Sequence, residues 1–174
     1  MIVPRRVSEA VLTVPGMAAW LDAGILLLLF AMMALPIGLR FRFVKVEIVQ
    51  ASWQTIITLL VTSFVLPAIT EELFFRVLLL PRPSDIQSSL HGWFWGGLSL
   101  GLFIIYHPLN AITFFPRGRE TFFNPVFLTL AGLLGIVCTL SYLDSGSLWI
   151  PVILHWVIVV FWLLGLGGYK KLYG

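Results

Sequence analysis

The sequence predicts an all-α protein, a polytopic transmembrane helical bundle of about five spans, forming one membrane-embedded domain over residues 1–174. Three observations point there. Hydrophobic residues make up 59% of the chain, and mean hydropathy is +0.99. Charged residues make up only 11%, against the ~25% typical of a soluble domain. Uncharged runs recur at lengths suited to a bilayer, whose core a helix crosses in about 20 residues.

Each span follows from one such run. The run 23–39, 17 residues without Asp, Glu, Lys or Arg, marks a first span near 20–39. The run 51–70 has 20 such residues and opens a second span over 51–80, too long for one simple crossing. It contains Pro67, which removes a helix hydrogen bond and predicts a kink. The 31-residue run 86–116 holds a third span near 91–107. Runs of 23 and 25 residues, 121–143 and 145–169, give spans near 124–143 and 148–168. The mixed stretch with Arg5, Arg6 and Glu9 precedes the first run, and no small-residue cleavage site follows it, so no cleaved signal peptide is expected.

The same numbers set aside other classes. A chain this apolar is not disordered, and so few charges do not cover a soluble enzyme. A formal net charge of +3 does not make a nucleic-acid binder. The single cysteine, Cys138, allows no intramolecular disulfide. Arg40, Arg42, Lys45, Arg117, Arg119, Lys170 and Lys171 are expected on one membrane side, with Arg5, Arg6 and Arg82 on the other. The basic-inside rule then puts the C-terminus in the cytoplasm. The expected protein is integral and multi-pass, with the lipid bilayer as its first partner.

The informative residues are ionisable groups inside apolar sequence. In V-L-P-A-I-T-E-E-L-F-F-R-V-L-L-L stand Glu71, Glu72 and Arg76. A charge at the bilayer centre costs at least ~3 kcal/mol, so such groups pair or do chemistry. Glu72 and Arg76 are four residues apart with the acid first, the favourable order for a helical ion pair. Glu71, turned roughly 100° from Glu72, lacks that partner and is the free carboxylate. The structural alternative is a buried salt bridge with a second Glu near the interface.

His107 ends the run F-I-I-Y-H, one turn after Phe103, and His155 lies in G-S-L-W-I-P-V-I-L-H. His91 reads as interfacial, as do Asp22 and Asp144. A free Glu with two histidines is the composition of a water-activating site. Helix rise puts Glu71 and His155 both ~12–14 Å from one membrane side, and His107, counted from His91, ~24 Å from it. Depth therefore joins Glu71 to His155 and leaves His107 about 10 Å off. Two other patterns are set aside. Gly97-Leu98-Ser99-Leu100-Gly101 matches G-x-S-x-G, but that motif needs a strand–turn–helix elbow. Here it lies in an apolar helix, where small residues suit close helix packing. The zinc motif H-E-x-x-H is absent.

At these residues the sequence resembles the CPBP (CAAX protease and bacteriocin-processing, or Abi) family of intramembrane proteases. Glu71-Glu72-Leu73-Phe74-Phe75-Arg76 is similar to its E-E-x-x-x-R. Phe103 to His107 is similar to F-x-x-x-H, and Gly146 to His155 to the approach to its last histidine. The resemblance implies hydrolysis of membrane-embedded peptides, prenylated CAAX-type ones among them. Glu71 would be general base, assisted by His107, and His155 would bind the oxyanion. Glu72 and Arg76 would fix the helix around the base, with Phe103 beside the histidine it precedes. No cofactor is expected. The alternative is a divalent metal on Glu71, His107 and His155, with an open position for water.

The chain departs from the pattern at Val159, where the family has Asn or Asp four residues after the histidine. Valine cannot donate a hydrogen bond. Asn110 or Asn124 substitutes, or activity is weak, or the chain is a degenerate member. The chain is also short for the family, so extra N-terminal spans are expected to be missing. Two other functions stay open, a catalytically silent binding member of the fold and a small transporter or proton relay.

Overall fold

The structure is a computed structural model describing residues 2–86 and 88–174; Met1 and Gln87, inside the expected domain, lie outside the described residues. It is all-helical apart from one parallel bridge between Glu47 and Leu166, with no other strand pairing among the described residues. In chain order the helices are α1 (Ile2–Leu12), α2 (Met17–Arg40), α3 (Trp53–Ser63), α4 (Thr70–Glu72), α5 (Ser89–Thr113), α6 (Arg119–Phe122), α7 (Pro125–Ser145), α8 (Trp149–Gly165) and α9 (Gly168–Tyr173).

Five apolar segments stand where they were expected, of which three, or four with a bent pair, have the length of a membrane span. Three helical stretches, Met17–Arg40, Trp53–Asp85 and Pro125–Ser145, are long and apolar enough to cross a membrane. A fourth is reached if Ser89–Thr113 and Pro116–Phe122, bent by 119°, form one span. The fifth, Trp149–Gly165, has 17 residues. It stops before the expected 168 because Gly167, at φ +80°, turns the chain into α9. The protein is thus an integral, multi-pass membrane protein.

Pro67 does not break the second span. The chain passes through it as a π-helical segment, Phe64–Ile69, followed by the single turn α4 and a second π segment, Leu73–Leu78. Proline lacks the N–H of a helical ring and crowds the carbonyl four residues before it; the chain around Pro67 is wound in the wider π turn, a rare conformation found often at functional sites. This span therefore carries Glu71 and Glu72 on one α turn between two π segments.

Helix ends are closed by side chains and by neighbouring backbone. Ser52, Ser88 and Asn124 accept N-terminal amides of α3, α5 and α7, and Pro125 occupies the first turn of α7. Gly146, at φ +64°, ends α7. The last carbonyls of α8 accept N–H groups of Lys45, Glu47 and Val49. On the opposite side α1, unforeseen as a helix, seals the end of the second span. Arg6 donates to the carbonyls of Leu78 and Leu80, and the Trp149 indole donates to that of Val11 at 2.8 Å. Glu9 binds Arg5 and Arg82, and these two guanidiniums hold its carboxyl below the usual range.

The core centres on α7, which packs against α2, α5 and α8. Gly135 permits the α5 contact, since a Cβ there would meet Leu100 Cδ1 at 2.7 Å. The close approach expected at Gly97 and Gly101 is not made, because a Cβ at either meets nothing within 4 Å. The small residue that matters is on the facing helix. Large apolar side chains such as Leu28, Met32, Phe94, Ile105 and Phe161 remain exposed on the outside, as lipid contact requires.

Candidate active site

Helical spacing on α5 places Phe103, Tyr106, His107 and Asn110 along one strip. Phe103 is fully buried and organises the site. The Arg76 guanidinium carbon lies 4.7 Å from its ring centre. The rings of His107 and His155 meet its ring edge-on at 4.9 and 6.1 Å. An aromatic at this position therefore supports the arginine and both histidines.

Glu72 and Arg76 form the expected pair, with Nε and Oε2 3.1 Å apart, both side chains fully buried. The contact is one of charge, because the two atoms are not aligned for a hydrogen bond. Arg76 also donates through Nη2 to the carbonyl of Gly135 at 3.1 Å. Sequence spacing missed the second partner of Glu72. His155 Nδ1 donates to its Oε1 at 2.7 Å, across 83 residues of chain. Glu72 is therefore shared between Arg76 and His155. The other nitrogen of that ring, Nε2, stands 3.9 Å from Glu71 Oε2. Glu71 is 9% exposed, and its Oε2 has no hydrogen-bond partner among the described residues. A buried polar atom left this way asks for an explanation, and chemistry is one.

His107 donates from Nδ1 to the Phe103 carbonyl at 2.9 Å, which leaves Nε2 for other contacts. The depth count had set His107 about 10 Å away from Glu71. The register explains the difference. Ser99 Oγ donates to the Phe75 carbonyl at 2.6 Å, fixing α5 against the second span eight residues later than His91. From that level His107 lies ~12 Å along and Glu71 ~6 Å along, a gap near the reach of side chains.

Glu71, His107 and His155 all line one cavity of about 750 Å³. Its walls come from α2, the second span, α5, α7, α8 and α9. Its polar lining includes Thr70, Glu71, Tyr106, His107, Asn110 and His155, and its aromatic lining includes Phe43, Phe115, Phe127 and Trp162; the Phe127 ring meets that of His107 at 5.2 Å. Val159 is on the wall as well. Tyr106 was not singled out from sequence, although its place one helical turn before Asn110 could have found it. Asn124 is not on the cavity; its Oδ1 accepts from Val126 N at 2.9 Å as the cap of α7.

The other residues weighed from sequence fall elsewhere. Ser99 is buried in mid-helix with its hydroxyl committed to Phe75. Ser99→Ala should cost about 1 kcal/mol in stability and leave peptide cleavage within a few-fold; covalent labelling of Ser99 by a serine-directed phosphonate would contradict this. Asp22 and Asp144 are exposed, and His91 accepts from the Trp95 indole at 3.0 Å. For the metal alternative, no three His, Cys, Asp or Glu side chains among the described residues group closely enough to hold one ion. The residues do not fit a three-ligand centre, and no step is assigned to a metal.

No curated protein and no solved structure matches the chain. The sequence model described as type II CAAX prenyl endopeptidase Rce1-like matches residues 52–161, a stretch that holds Glu71, Glu72, Arg76, His107, Asn110 and His155. That is more than half of the 174 residues, and the chain belongs to this Rce1-like family of CAAX prenyl endopeptidases.

Proposed function

We propose that the protein is an intramembrane endopeptidase that hydrolyses membrane-embedded peptides, prenylated CAAX-type ones among them, through a water activated by Glu71. The observation that carries this reading is the Glu71–His155 pair, 3.9 Å apart on the cavity wall, with Glu72 bound to the far side of the imidazole. That separation is too long for a direct hydrogen bond and close enough for one water to touch both. Family membership supports proteolysis in general.

The buried charges suit the roles. Glu71, Glu72 and Arg76 together sum to minus one. One proton shared by Glu71 and His155 makes the cluster neutral, which burial favours. With that proton on His155, Glu71 is a carboxylate base and Nε2–H is a donor. The water oxygen attacks the scissile carbonyl carbon as Glu71 takes its proton, with Nε2 of His107 positioning the water. The carbonyl π pair moves to oxygen, and His155 Nε2–H donates to the resulting oxyanion. The C–N bond then breaks, and Glu71 returns the proton to the departing amine nitrogen. Glu72 holds the His155 ring in orientation, and Arg76 offsets the charge of Glu72. The apolar and aromatic lining of the cavity, Phe43, Phe115 and Trp162 among it, accepts the apolar part of the substrate.

The test is a farnesylated CAAX-type peptide in phosphatidylcholine vesicles, incubated with the purified chain and read by mass spectrometry. The expected products differ from the substrate by one water added across one peptide bond, at a rate unchanged by chelator. Intact peptide, together with proton leakage across the vesicles, would favour the relay reading instead.

A further inference from the structure

We infer that the side-chain amide of Asn110 is a catalytic oxyanion donor in this chain, taking the place that Val159 leaves without a donor. The inference rests on the hydrolysis proposed at Glu71. A tetrahedral oxyanion is stabilised by donors held ready before the reaction. His155 Nε2 offers one. One turn further along α8 the cavity wall carries Val159, which offers none.

Another helix of the same cavity, α5, offers an amide. Asn110 lies three residues after His107 on α5, so the two side chains share a face. It is half-buried and lines the same cavity as Glu71, His107 and His155. Its backbone carbonyl is taken by the amides of Phe114 and Phe115, while its side chain makes no hydrogen bond among the described residues. Asn124, the only other asparagine, spends its Oδ1 on the cap of α7 away from the cavity. The neighbouring cavity hydroxyls of Thr62 and Ser63 are committed to helix carbonyls at 2.7 and 3.2 Å. Asn110 is therefore the amide that stands free on this wall. Its helix also carries His107, so it sits on the scaffold that positions the attacking water. The amide of Asn110 donates through Nδ2–H to the oxyanion as the water adds, and no bond to Asn110 forms or breaks.

The experiment compares wild type, Asn110→Ala, Tyr106→Phe, Glu71→Gln and the double variant Asn110→Ala/Val159→Asn on the farnesylated peptide in vesicles. Asn110→Ala should lower kcat by about 10²–10³-fold, with KM within threefold and the thermal midpoint unchanged. Adding Val159→Asn should restore at least tenfold, because an amide returns to the oxyanion from α8. A rate in Asn110→Ala within threefold of wild type overturns the assignment, and so does a loss confined to Tyr106→Phe, which moves the donor to the phenol. A fall in thermal midpoint without rescue by Val159→Asn makes Asn110 structural and also overturns it. Glu71→Gln separates the two ideas, since full activity there removes the proposed hydrolysis itself, whatever Asn110→Ala does. A second readout is independent of turnover. Wild type should bind a farnesylated peptide aldehyde, whose hydrate mimics the tetrahedral oxyanion, more tightly than the matching alcohol. Asn110→Ala should lose that preference, and an equal preference in both proteins contradicts the role.

Discussion

Glu71→Gln is expected to lower peptide cleavage by about 10²–10⁴-fold, the usual contribution of a positioned general base. Insertion and fold should survive. Glutamine keeps the shape, and it replaces a buried carboxylate oxygen that has no hydrogen-bond partner among the described residues. With Glu71 neutralised, His155 can give up the shared proton and the cluster stays neutral, so the thermal midpoint should stay level. Loss of activity with retained stability distinguishes a base from a structural acid. Cleavage rates and thermal unfolding of the purified variant check both halves, and a rate equal to wild type would remove Glu71 from the chemistry.

Glu72→Gln should behave in the opposite way on stability. Arg76 is fully buried and draws its countercharge from Glu72 at 3.1 Å. Removing one partner of such a pair costs about 3–5 kcal/mol, because the other charge stays buried alone. Activity should fall too, since His155 loses the carboxylate that holds Nδ1. The double variant Glu72→Gln/Arg76→Met tells the two effects apart. Replacing both charges with groups of similar volume should recover most of the stability and none of the activity. Recovery of both would reduce Glu72 to a countercharge for Arg76. Thermal midpoints with parallel cleavage rates provide the comparison.

Much of this was legible in the sequence, and the gaps have physical causes. Uncharged run lengths located the apolar helices, but they could not show where α8 stops, since the end is set by the conformation of Gly167. Composition gave no sign of α1, whose helix is secured by contacts to Leu78, Leu80 and Trp149 far along the chain. Within the site, the Glu72–Arg76 pair followed from local spacing. The bond from His155 to Glu72 did not, because helical periodicity is silent about partners 83 residues apart. Counting depth from His91 misplaced His107, since the register of α5 is set by Ser99 against Phe75. The same hydroxyl that made a false nucleophile pattern thus fixes the geometry of the site. Asn110 and Asn124 were equivalent as letters. Only the fold separates a cavity-lining amide from a helix cap.

The central claim is that Glu71 activates water for direct attack on the peptide carbonyl. Single-turnover cleavage of the farnesylated peptide in vesicles, by wild type and Glu71→Gln side by side in the presence of hydroxylamine, tests it most directly. The expected result is a free carboxylate product from wild type, no peptide hydroxamate, and no product from Glu71→Gln above about one hundredth of the wild-type rate. A hydroxamate product would reveal an acyl-enzyme and a side-chain nucleophile. That outcome, or cleavage at the wild-type rate by Glu71→Gln, would contradict the account.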